Sequence, residues 1–91
     1  MESTGKLGRH QKVAFTGTAG TSDAVSAVTT KVRVVLTSAG YIKFGAAPTA
    51  ANTDVYMPAN LPEVFDITPG FKVSAVQDSA GGNLHVTELT Q

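Results

Sequence analysis

The sequence has neither cysteine nor tryptophan. Without cysteine there can be no disulfide and no thiolate metal site, two of the devices that most often stiffen small domains. An excess of charge is also missing: seven lysines and arginines balance seven aspartates and glutamates, and neither sign forms a block along the chain. A nucleic-acid groove normally carries a basic surplus, so that class of partner is disfavoured. No apolar run approaches the roughly 20 residues that cross a bilayer. The first residues, Met1 to Lys6, lack the hydrophobic region of a secretory signal. The expectation is a chain made and kept soluble in a cytoplasm, in contact with neither membrane nor nucleic acid.

A chain of 91 residues makes one domain, and at that size the fraction of surface buried on folding is low. Much of the apolar share is alanine, which buries little area per residue. With disulfides excluded and thiolate metal sites with them, association with copies of itself or with a larger surface is the expected support.

What the sequence does have is a series of short β-branched and aromatic runs between proline- and glycine-marked turns. Lys31 to Thr37 alternates in the two-residue period of a half-buried strand, with Val32, Val34 and Leu36 on one side. Ser38-Ala39-Gly40 turns the chain, and Tyr41 to Phe44 returns with Ile42 and Phe44 inward, the best hairpin candidate in the sequence. Further runs are Asp54–Met57, Glu63–Ile67, Phe71–Val76 and Leu84–Leu89, and a first strand is expected over Lys12–Thr16. Thr68-Pro69-Gly70-Phe71 places proline and glycine at the centre of a type II turn. Asp78 to Asn83 is expected to close a last hairpin. Gly17–Asp23 and Gly45–Thr53 read as surface loops, and Ala24–Val28 as a strand or a short helical turn. The layout predicts an all-β fold, a small antiparallel β-sandwich or jelly-roll-like domain of seven or eight short strands over residues 11–91. Residues 1–10, small, polar and aperiodic, are expected to form a flexible or partner-ordered arm.

Candidates for chemistry are few. His10 and His85 are the only groups with an unperturbed pKa near neutrality. His10 falls in the expected arm and His85 at an outward position of the last strand, which suits exposed or interface histidines. No H-x-x-x-H, C-x-x-C, calcium loop or G-x-S-x-G motif is present. Gly81-Gly82 leads into a strand, so it is a turn and not a phosphate cradle. No enzyme activity, metal or cofactor is therefore expected, and function is sought in surfaces. Lys6, Arg9 and His10 on the arm, and Tyr41, Lys43 and Tyr56 as an aromatic-basic patch, are the candidate protein-binding residues.

Four stretches carry a family resemblance: Ile42-Lys43-Phe44-Gly45-Ala46-Ala47-Pro48-Thr49-Ala50, Val55-Tyr56-Met57-Pro58-Ala59, Thr68-Pro69-Gly70-Phe71-Lys72-Val73-Ser74-Ala75-Val76, and Ala80 to Leu89. Over residues 31 to 89 the chain resembles a group of small structural proteins of tailed bacteriophages. Their pattern is an I-x-F-G-x-x-P-T-A exit, a Y-x-P-A turn, a P-G-x-K-V-A turn and a closing G-x-L-x-V-T-E strand. Ser74 departs from it where the group has alanine. The resemblance implies a β-sandwich virion component, a capsid decoration or cement protein. It would be made in the bacterial host's cytoplasm and bind the major capsid protein at the particle surface, most simply as a homotrimer. A tail or head-tail joint component and a glycan- or host-binding module are the alternatives. Residues 1–30 lie outside the match.

Overall fold

The computed structural model describes residues 6–90, and the side chains of residues 8–89. Among these residues there are eight strands and no helix: β1 (Lys6–Phe15), β2 (Gly20–Thr21), β3 (Lys31–Leu36), β4 (Gly40–Gly45), β5 (Val55–Met57), β6 (Glu63–Asp66), β7 (Lys72–Gln77) and β8 (Gly82–Thr90). They form two antiparallel four-stranded sheets, β1-β8-β3-β6 and β2-β7-β4-β5. The pairs β1–β8, β2–β7, β3–β6 and β4–β5 are the rungs of one long hairpin. Pairing of β3 with β8 and of β4 with β7 rolls that hairpin up on itself. This is the strand order of an eight-stranded jelly roll.

Alternation along the strands builds the core. Val32, Val34 and Leu36 of β3, Val73 and Ala75 of β7, and Leu84 and Val86 of β8 are fully buried between the sheets with Phe15, Ile42 and Met57. One flank is closed by Phe44 and Phe65, whose rings meet edge to face with centroids 5.3 Å apart. The Thr68–Phe71 turn is as the sequence predicts, with Gly70 at φ 84° and the Phe71 N–H donating to the Thr68 carbonyl at 3.0 Å.

Several expectations are corrected. Residues 6–10 are not an arm: they are the first half of β1 and pair with the end of β8, with an irregularity between Leu7 and His10. Residues 1–5 lie outside the described residues. Neither expected hairpin exists, because β3 and β4 sit in different sheets, as do β7 and β8. Each connection arches across the core, because both strands turn an apolar face inward and only opposite sheets let those faces meet. The crossing at Gly40 is tight enough that a Cβ there would lie 2.4 Å from the Val76 carbonyl oxygen. The Gly17–Asp23 stretch contains β2, and Ala24–Val28 is neither strand nor helix. The 46–53 loop folds back on the second sheet and buries Pro48 and Ala50.

Candidate functional site

Register places a cluster of cationic and titratable side chains on the outer face of the β1-β8-β3-β6 sheet. In an antiparallel pair, residues in register point to the same side. Since Val32, Val34 and Leu36 point inward, Lys31, Arg33 and Val35 point out. One outward row runs His10, Thr87, Arg33, Val64 across four strands, and the next runs Lys12, His85, Val35. A third row sets Lys31 beside Asp66, with which it forms an ion pair.

On the β1–β8 side of this face the two histidines meet. His10 Nε2 lies 3.2 Å from His85 Nδ1, and the rings stack with centroids 5.3 Å apart and planes 28° from parallel. The other nitrogen of His10 is 2.8 Å from the Thr87 hydroxyl, which fixes the ring's orientation. Burial, with His10 and Lys12 adding to it, holds His85 below the ordinary histidine value. Thr87 touches an imidazole as a nucleophile would, yet it is buried within the sheet, and among the described residues no carboxylate orients His10.

The outer face of the other sheet holds the second cluster. Tyr41 and Tyr56, opposite each other on β4 and β5, pack edge to face with centroids 5.7 Å apart. The Tyr41 hydroxyl donates to Asp78 Oδ1 at 2.9 Å, and this bond chiefly, with some burial, raises the phenol above its usual value. Lys43, two residues along β4, projects from the same face and is exposed. The rest of this face is covered by the 46–53 loop. It is pinned by the wholly buried Ser74, whose hydroxyl oxygen accepts from the Ala50 N–H at 3.0 Å and faces Thr21 Oγ1 at 3.2 Å.

The predicted contact residues therefore fall into two sets on opposite faces. Tyr41 and Tyr56 pack together, and Lys43 projects from the same face. His10 joins His85 on the other sheet. Arg9 pairs with Asp23 at 3.0 Å, an exposed contact, and the side chain of Lys6 lies outside the described residues. Sequence reasoning missed Lys12, Lys31 and Arg33, whose outward phase was legible but whose neighbours were not. It also missed Glu88, which lies in phase with Leu84 and Val86 and so points into the sandwich. There Glu88 Oε1 accepts from the Thr29 hydroxyl at 2.6 Å and the Ser26 N–H at 3.1 Å, tying the 23–30 segment to β8.

A cleft of about 290 Å³ opens at the far edge between Ile42, Phe44, Val55, Phe65 and Asp66. It contains neither histidine. Among the described residues no three histidine, aspartate or glutamate side chains converge as metal ligands would. Comparison with protein-family models, with curated proteins and with solved structures finds no match to the chain.

Proposed function

We propose that this domain is a non-enzymatic structural protein that ties neighbouring protein subunits together, on the outside of a bacteriophage capsid. The observation that carries the reading is the placement of two contact clusters, His10–His85 and Tyr41–Lys43–Tyr56, on opposite faces of one small jelly roll, none of these five side chains lining the cleft between Phe44 and Phe65. A body that presents different polar surfaces on its two sides is suited to standing between partners. Fold analogy points the same way, since jelly rolls recur in viral capsid proteins, though a fold alone assigns no function. The motif resemblance over residues 31 to 89 supplies the bacteriophage setting.

Bridging works by linkage. Once one face is docked, contact through the other becomes intramolecular, at an effective concentration of order millimolar. A ligand that binds only the assembled lattice stabilises it by RT ln(1 + [L]/Kd), about 2.7 kcal/mol per site at a hundredfold excess over Kd. Homotrimers would multiply the number of neighbours engaged. A glycan-binding role fits less well, because Tyr41 and Tyr56 meet edge to face and offer no flat platform.

Quantitative mass spectrometry of purified virions tests the proposal. The expected result is a copy number matching a repeated coat site. A few copies per particle would move the protein to the tail or the head-tail joint, and its absence from particles would end the reading.

A further inference from the structure

We propose that the outer face of the β1-β8-β3-β6 sheet docks an acidic protein surface, and that the His10–His85 pair makes this docking tighter as pH falls. The inference rests on the bridging reading above and names the chemistry of one partner.

The charges of the chain cancel overall but are not evenly spread. On this face Lys12, Lys31 and Arg33 stand against a single carboxylate, Asp66, already paired with Lys31. Glu2 and Lys6 lie outside the described side chains. Elsewhere among the described residues five carboxylates outnumber three cationic side chains. The face is thus the basic pole of a neutral molecule. Three adjacent strands and four residues of rise place its cationic and histidine side chains within about 10 by 13 Å, the footprint of a few carboxylates on a partner.

The two histidines sit inside this field. Charged or titratable groups facing them are Lys12 from β1, in register with His85, Lys31 and Arg33 from β3, and Asp66 from β6. A proton on His85 is opposed by burial, by His10 and by Lys12 while the face is free. A partner carboxylate reverses that balance, so docking draws a proton onto the pair and is favoured by acid. The exposed Val64 beside Arg33 and the half-buried Val35 beside His85 add apolar contact that suits a protein surface. A nucleic-acid backbone, with a charge every ~1.7 Å of duplex, calls for a longer basic track than this face provides.

The test is fluorescence anisotropy with a labelled aspartate-rich peptide, whose side chains stay ionised at pH 5.5. Titrations of the full chain at pH 7.5 and 5.5 in low salt are expected to show binding about two- to fivefold tighter at the lower pH, the range of one added exposed ion pair. A Lys12→Gln/Arg33→Gln variant should lose binding at both pH values. A His10→Gln/His85→Gln variant should bind with one affinity at both pH values, the gain at pH 5.5 being lost. Lys72→Gln, on the outer face of the other sheet, should bind as the parent does. Melting curves of each variant separate lost binding from lost folding. Parent binding that ignores pH, undiminished binding by the lysine-arginine variant, or tighter binding of an oligodeoxythymidine of equal charge would overturn the inference. Loss of peptide binding by a protein still abundant in virions would sink this inference alone, and absence from virions would sink the bridging reading alone.

Discussion

Glu88 is buried between the sheets with one oxygen holding two donors and the other, Oε2, without a hydrogen-bond partner among the described residues. Removing the acceptor leaves the buried Thr29 hydroxyl unsatisfied. Glu88→Ala is therefore expected to lower stability by about 1–3 kcal/mol, read as a shift in urea midpoint. Faster hydrogen exchange at the Ser26 amide should mark the loosened segment. Glu88→Gln, which keeps an acceptor and sheds the charge, should lose less. His85 gives a second expectation at this scale. Its folded value lies below the unfolded one, so as pH falls through about 6.5 the unfolded chain takes up a proton that the native state resists, and stability drops until the native histidine also titrates. His85→Gln should flatten that portion of a plot of unfolding free energy against pH. Which way each of these side chains points was legible in the sequence from strand phase. That His85 would meet His10 was not, because the meeting depends on pairing strands 75 residues apart in sequence.

At the scale of elements, six of the seven connections between consecutive strands change sheets, and only β4 and β5 follow each other in one sheet. Strand positions were legible because period-two alternation is a local property, and the Thr68–Phe71 turn because proline and glycine dictate their own dihedrals. Partners were not legible, since a rolled hairpin pairs the first strand with the last and the second with the seventh, relations no short window contains. Seven or eight strands in a sandwich could thus be read while both presumed hairpins were wrong. The crossings make glycine demands that differ in kind. Gly40→Ala drives a methyl into the Val76 carbonyl, and forced repacking of this sort costs about 1–3 kcal/mol or more. Gly70→Ala meets open space but keeps a positive φ, a strain of about 1–2 kcal/mol. Thermal melts should rank Gly40→Ala as the less stable of the two.

For the whole molecule, β1 is an edge strand whose first half was mistaken for an appendage. A truncation through His10 therefore removes part of a sheet, exposing backbone donors and acceptors along the end of β8. The truncated chain is expected to melt lower than the full chain and to self-associate in sedimentation velocity. An unchanged melting temperature and a single monomeric species would contradict the paired register. That same register places Lys6 beside Thr90, so the two extremities of the described chain leave the body side by side. Tension applied through them would peel β1 from β8 one rung at a time, as a zip opens. Tension applied from one broad side to the other is borne by the apolar layer between the sheets all at once, so a lattice seeking strength from this body would do best to grip its sides and leave its tails slack.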